Sequence, residues 1–255
     1  MKLRACRRAV ALAIALTSCI LRYWAIRVHG PLSLERRAEW LQEASRLVLA
    51  SLGIRYHTEG EPPTNGVVVS NHLSYLDVAI FSAAMKCFFV AKAEIGTWPY
   101  FGEAARSGGT LFIDRSSLAS AEEVSAQIAE RLGLPVPVLF FPEGTSTDGT
   151  SVLRFHSRLF EPAIRAQAPI AAAAIRYVLT DHKEERELCW FGDDGFLPHL
   201  WRTLGTPGFI AELYFGEPRV YSHRRIAADQ TREEIVAMRE GRLKPVPASQ
   251  AVADD

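Results

Sequence analysis

The sequence predicts an α/β fold: a mostly parallel sheet flanked by helices, with an N-terminal membrane-associating helical segment. Three observations carry this. Short apolar runs, several continuous enough to be strands buried on both faces, alternate with helical patterns beyond Gly53. Polar clusters close several of those runs, where sites gather at the carboxyl ends of parallel strands. The first 53 residues lack the alternation and read as two helices.

The first helix opens a segment with uneven charge. Residues 1–27 carry Lys2, Arg4, Arg7, Arg8, Arg22 and Arg27 and no acid, so the rest of this neutral chain is net acidic by six. The apolar stretch "AVALAIALTSCIL", Ala9 to Leu21, reaches about 20 Å as a helix, short of the ~30 Å hydrocarbon core. Extending it to Ile26 nearly spans that core but buries Arg22, while Tyr23 and Trp24 prefer the headgroup level. The segment reads as a membrane anchor, shallow or barely spanning. A basic apolar leader on an acidic body is drawn to an anionic membrane surface and argues against a nucleic-acid partner. The same stretch also fits a secretory signal, and "LTSC" at Leu16–Cys19 fits a lipoprotein cleavage box.

The second helix follows from apolar positions Leu34, Ala38, Leu41, Val48 and Leu52, with Pro31 and Ser33 as start signals and Gly53 as the stop. It either packs on the body or lies on the bilayer beside the first.

The runs "GVVVS", "CFFVAK", "TLFIDR", "VPVLFFPEG", "PIAAAAIRYV" and "FIAELYFG" then read as strands. Between them, "DVAIFSAAM", Ser120–Arg131, Ser157–Ala166 and "LPHLWRTLG" read as helices. Ser120 with Glu123 forms a capping box, as does Thr231 with Glu234 ahead of the last helix. No linker divides the body. The organisation is therefore residues 1–53 as anchor and amphipathic helix, 54–243 as the catalytic domain, and 244–255 as a disordered tail. Cys6, Cys19, Cys87 and Cys189 are scattered, with neither disulfide-framework nor zinc spacing, and read as reduced, mostly buried thiols.

Four polar clusters fall at strand ends: "NHLSYLD" after "GVVVS", Lys92 closing "CFFVAK", "DR" closing "TLFIDR", and "PEGTSTDG" after "VPVLFF". A single loop histidine is more often structural than catalytic, but four clusters on one sheet edge reverse that expectation. His72 is the side chain best suited to accept a proton at neutral pH. Asp77, bonded to its far ring nitrogen, fixes the tautomer and stabilises the imidazolium. Five residues exceed the three-to-four spacing of one helical face, so the pair requires a loop that turns into a helix near Ser74.

Ser70 and Ser74 sit too close to His72 for a Ser–His bond, and no GxSxG elbow is present. The base therefore acts on a hydroxyl brought by the substrate. Arg115 offers a forked donor for phosphate or carboxylate, or a surface ion pair. Glu143 either binds substrate hydroxyls or caps its turn, and the N–H groups of Gly144, Thr145 and Ser146 form an anion nest if the loop is so shaped. A metal site from His72, Asp77 and Glu143 lacks the HExxH or clustered Cys/His patterns.

"NHLSYLD", "GGTLFIDR", "FPEGTS" and the weaker "APIAAAAI" stand in the order and spacing of the four blocks of the glycerolipid acyltransferase family. The likeness runs from Gly66 to Tyr177, and the family's best-known members are 1-acylglycerol-3-phosphate acyltransferases. The resemblance implies a membrane-bound enzyme moving a fatty acyl group from an acyl thioester to a lysolipid hydroxyl. It implies no cofactor, with acyl-CoA or acyl carrier protein bringing the donor as co-substrate. By the same resemblance His72 is the general base and Asp77 its charge partner. Arg115, with Gly109 opening its block, contacts the acceptor phosphate; Glu143, Gly144 and Thr145 line the acceptor site; Lys92 matches a frequent basic position. A thioester donor loaded in the cytoplasm argues against export, placing the enzyme at the inner membrane with its site facing the cytoplasm.

Two positions depart from the phosphatidate-making pattern: Ser146 stands where many members have arginine, and Ala172 where the fourth block often has a second proline. "TSTDGTSVLRFHSRLFEPA" looks more like members acting on other lysolipids, including lyso-ornithine lipid or lysophosphatidylcholine. The leading expectation is lysophosphatidate acylation; the alternatives are acylation of those other lysolipids, and hydrolysis of lipids or thioesters.

Overall fold

The computed structural model describes residues 2–98, 100–114, 118–181 and 183–242. Arg115, the side chain of Ser120 and segment 244–255 lie outside the described residues. Among the described residues seven strands form one sheet: β1 (Ile54–Glu59), β2 (Val67–Ser70), β3 (Phe88–Lys92), β4 (Leu111–Ile113), β5 (Val138–Phe140), β6 (Ile170–Leu179) and β7 (Phe209–Phe215). Their order is β1-β7-β6-β2-β5-β3-β4. Every pairing is parallel except β6 with β7.

This order positions the site. β2, β5, β3 and β4 are consecutive neighbours and all run the same way, so the polar clusters that follow them emerge on one edge. β1 escaped the sequence reading because "IRYHTE" is an outer strand with mostly polar side chains, and only its first residue is fully buried.

The alternation of side chains divides the core. Val68, Leu139, Ala173 and Ile175 face one helical layer, built from α1 (Lys2–Arg27), α2 (Leu34–Leu52), α3 (Leu76–Ala84) and α7 (Phe196–Gly205). Val67, Val69, Val138, Phe140 and Ala172 face the other, built from α5 (Leu118–Arg131), α6 (Glu161–Arg165) and α8 (Arg224–Arg239). A short α4 (Phe101–Ser107), also unread in the sequence, leads into β4. Fully buried residues such as Phe81 and Phe140 each contribute about 1.5–3 kcal/mol relative to exposure.

The ends of α2 follow the capping chemistry expected of them, whereas the last helix differs. Ser33 accepts the Arg36 N–H at 3.3 Å, and Gly53 stops α2 at φ 70°. Thr231, expected to cap the last helix, instead lies inside α8, which starts seven residues earlier behind His223. The buried Thr231 hydroxyl donates to the Ala227 carbonyl at 2.6 Å, the back-bonding a threonine makes when its own helix continues past it. Ala227 and Ala228 pack this first stretch onto the sheet, a signal masked by the flanking arginines.

α1 is long and apolar enough to cross a membrane, yet one face is docked. Ala5, Leu12, Cys19 and Tyr23 are buried, the Trp40 indole donates to the Cys19 carbonyl at 3.1 Å, and the Tyr23 and Trp40 rings lie 4.9 Å apart. At the other end Arg8 donates to the Thr206 and Pro207 carbonyls at 2.6 and 3.0 Å, just beyond α7. The opposite face exposes Leu3, Val10, Ile14, Leu21 and Trp24.

Candidate active site

β2 ends at Ser70, and the next residues turn sharply before α3 begins at Leu76. That turn brings Asp77, in the first turn of α3, back beneath His72. Asp77 Oδ2 accepts from His72 Nδ1 at 2.8 Å and from the amides of Leu73 and Ser74 at 2.7 and 3.1 Å. Asp77 is fully buried, and its other oxygen accepts from the Tyr177 phenol of β6. A buried carboxylate needs such donors to offset its desolvation. Because Oδ2 can only accept, His72 carries its proton on Nδ1 and keeps the Nε2 lone pair on its outer edge. The imidazole stacks on Phe141, with centroids 4.0 Å apart and planes 10° from parallel.

The backbone of this turn is bonded along its length. Asn71 continues the β2–β6 ladder with its side chain, accepting the Ile175 N–H at 2.9 Å and donating to the Ile175 carbonyl at 3.1 Å. The His72 N–H donates to Glu143 Oε1 at 2.8 Å, and its carbonyl accepts from Thr147 N–H at 2.9 Å. The Leu73 carbonyl accepts from Trp190 N–H at 2.8 Å.

The structure places Glu143 behind the site. It is buried, and its second oxygen accepts the Leu153 N–H at 2.7 Å, so it joins two loops through their backbones and is absent from the cavity wall. Burial pushes its carboxyl pKa up, opposed by those two amide donors. Gly144 turns at φ 79° and gives its N–H to the Phe141 carbonyl at 3.1 Å. Gly144, Thr145, Ser146 and Lys92 border the same cavity as His72. Gly109 adopts φ +85° against the Phe88 ring, where an added Cβ would lie 3.1 Å from it, and it is absent from the wall. Arg115 follows Ile113 of β4 by two positions, outside the described residues.

His72 opens onto a cavity of about 750 Å³, within the ~300–1,000 Å³ usual for ligand pockets. Leu12, Leu16, Cys19 and Tyr23 of α1, with Trp40 and Val48 of α2, form one wall. Tyr75, Trp98, Trp190 and Phe196 form another, their rings 5.0 to 5.9 Å from their neighbours. Among the described residues the charged side chains on the wall are Lys92, Glu94 and Glu103. No group of three His, Cys, Asp or Glu side chains among the described residues is arranged to hold a metal ion.

Asn71, Phe141, Thr147 and Tyr177 support the dyad but were not singled out in the sequence. Tyr177 had a weak readable signal: with Arg176 it interrupts the otherwise apolar run "IAAAAIRYVL".

A proton-accepting imidazole, oriented by a buried carboxylate and opening onto an apolar cavity, suits transfer chemistry on a lipid. The acyltransferase family model matches residues 53–176. A 1-acyl-sn-glycerol-3-phosphate acyltransferase of Neisseria meningitidis is 36% identical over 184 residues, 71% of this chain and 72% of that protein. The chain belongs to the acyltransferase family. A lyso-ornithine lipid O-acyltransferase of Rhodobacter capsulatus is 35% identical to this family member over 179 residues, 68% of this chain and 64% of the relative. The match thus spans under two thirds of that relative's own length. The crystal structure of a 1-acyl-sn-glycerophosphate acyltransferase from Thermotoga maritima shares the fold, with a TM-score of 0.69 over 94% of each chain at 18% identity.

Proposed function

We propose that the protein is a membrane-associated O-acyltransferase that esterifies a lysolipid hydroxyl with a fatty acyl group from acyl-CoA or an acyl carrier protein. The first acceptor is 1-acylglycerol-3-phosphate, giving phosphatidate. One observation carries the reading: the His72–Asp77 pair opens directly onto a large apolar cavity.

In this reading His72 Nε2 takes the proton from the acceptor hydroxyl as its oxygen bonds to the thioester carbonyl carbon. The Nδ1–H bond to Asp77 stabilises the imidazolium that forms. Negative charge on the carbonyl oxygen is met by the amides of Thr145 and Ser146 or by Lys92, which border the cavity. The tetrahedral intermediate expels the thiolate, the imidazolium returns its proton to that sulfur, and ester and thiol result. No covalent enzyme intermediate is required. The acyl chain occupies the apolar cavity, Arg115 with Lys92 receives the phosphate, and the outer face of α1 rests in the inner-membrane surface with the site towards the cytoplasm. The docking of α1 on the body through Arg8 and Trp40 favours this shallow placement over a free-standing span.

Lyso-ornithine lipid is the second acceptor. Ser146 favours it: the residue stands where phosphatidate-making members often carry arginine, and its hydroxyl donates to the Trp190 carbonyl at the cavity edge. A lysolipid panel with radiolabelled acyl-CoA decides between them. Transfer to lysophosphatidate above all others is expected; preference for lyso-ornithine lipid reverses the assignment. Thiol release at full rate without any acceptor would make the protein a hydrolase.

A further inference from the structure

We infer that Tyr177 is a positioning residue for the reaction, holding the Asp77 carboxylate in the plane that orients His72. The inference rests on the reading of His72 as the base. The two oxygens of Asp77 are held from different places. Oδ2 takes its donors from its own loop: the His72 ring and the Leu73 and Ser74 amides. These contacts lie within the turn, whose backbone reaches β6 through the Asn71 side chain, and none of them joins the carboxylate itself to the sheet. Oδ1 accepts from Tyr177, a residue of β6 separated from it by 100 positions. This phenol is the tie between the dyad carboxylate and the rigid middle of the molecule.

Tyr177 is itself well fixed. Its ring packs on Phe209 with centroids 4.7 Å apart, and its N–H donates to Glu185 Oε1 at 2.8 Å. Glu185 is in turn paired with Arg239 of α8 at 2.7 Å. Burial first, and then the neighbouring Asp77 carboxylate, push the phenol pKa well above its ordinary value. The hydroxyl therefore remains a donor across the working pH range. Its bond stabilises the ionised carboxylate and spreads its charge, which tempers how strongly Asp77 holds a proton on His72.

Among the described residues the other ionisable groups around the pair include Glu143 behind the His72 amide, Cys189 near Asp77 and Tyr177, the Glu185–Arg239 pair and, acting on Cys189, Asp148. Burial pushes the Cys189 thiol far up, so it stays neutral. Glu143 is common to every variant compared, so its titration cancels in the difference.

Tyr177→Phe keeps the ring and removes only the donor. The expected result is a fall in kcat of roughly 10- to 100-fold, the usual effect of losing one hydrogen bond to a charged group. KM for donor and acceptor should hold, and the acid limb of the pH profile should move to higher pH. The decisive readout needs no substrate: the NMR titration of the His72 ring in the full-length protein should move upward in Tyr177→Phe. Incorporating 3-fluorotyrosine at position 177, a stronger donor of nearly the same shape, should move it downward. This second variant serves if Tyr177→Phe fails to fold. A His72 titration unchanged in both folded variants, or in the fluorinated protein alone where the other is unfolded, overturns the inference. Near-normal turnover in His72→Ala would instead sink the reading of His72 as base, a separate outcome.

Discussion

The turn that carries His72 and the cavity it opens onto are built by opposite means. From Asn71 to Asp77 the backbone and side chains are pinned by hydrogen bonds to β6, to Glu143, to Thr147 and to Trp190. The cavity walls face inward with apolar side chains and rings, and their hydrogen bonds, such as Trp40 to Cys19 and Trp190 to Asp194, join wall segments to one another and leave the lining apolar. Hydrogen bonds are directional and hold a geometry, whereas packed apolar surface holds a volume. Proton transfer needs the former, since misplacement by an ångström costs rate steeply. Accommodating an acyl chain needs only the latter. Substitutions in the turn should therefore change rate, and substitutions in the walls should change selectivity.

The sharpest break comes at His72. His72→Ala should lower acyl transfer by at least about 10²–10⁴-fold, the span of general base catalysis. The variant should still unfold cooperatively, because the ring is partly exposed and Asp77 keeps the Leu73 and Ser74 amides and the Tyr177 hydroxyl as donors. Glu143→Ala should behave differently. It strips the acceptor from two backbone amides, those of His72 and Leu153. Each amide left buried and unpaired costs about 1–3 kcal/mol, so urea unfolding and turnover should fall together. Loss of turnover with no loss of stability would assign Glu143 a direct contact with substrate.

On the wall, Trp98→Ala should leave turnover with the best donor near its parent value. It should shift the ranking of acyl chain lengths by roughly tenfold, the discrimination that a methylene or two commands in an apolar pocket. Competition assays with mixed acyl-CoAs measure this. A uniform loss for every chain length would join Trp98 to the catalytic turn.

The same contrast governed what the sequence revealed. The polar clusters were legible because histidine, aspartate and Pro-Glu-Gly stand out after apolar strands, and a parallel sheet sends such loops to one edge. The cavity was not. α1 read as an anchor, although Leu12, Leu16, Cys19 and Tyr23 recur every three or four residues and form the stripe that lines the wall. Overall apolarity concealed which face turns inward. Asn71 and Tyr177 were missed because their partners lie about a hundred residues away, and no local pattern encodes a contact across the sheet. Glu143 was legible as a special position, but its bond to the His72 amide emerges only when β2 and β5 stand side by side.

The smallest expected effect lies at the joint between the two regions. His199 of α7 is fully buried, and its Nε2 donates to the Leu188 carbonyl at 3.1 Å. That leaves Nδ1 to accept from the Tyr75 hydroxyl at 2.9 Å, and so ties the aromatic wall to the loop that bears His72. Burial holds the His199 pKa below its ordinary value, helped by Arg202 and opposed by the Leu188 carbonyl and Asp194. The sign follows from that depression. The unfolded chain takes up a proton near pH 6.5 and the folded protein at lower pH. The stabilisation is thus complete above that value and is lost as pH falls towards the folded pKa. One proton taken up only by the unfolded chain gives a limiting slope of about 1.4 kcal/mol per pH unit. His199→Gln can still donate to Leu188 and accept from Tyr75, but does not titrate. Urea unfolding at pH 7 and at pH 5 should show a smaller acid-induced loss in this variant than in the parent. Equal losses in the two proteins would move the acid sensitivity away from α7.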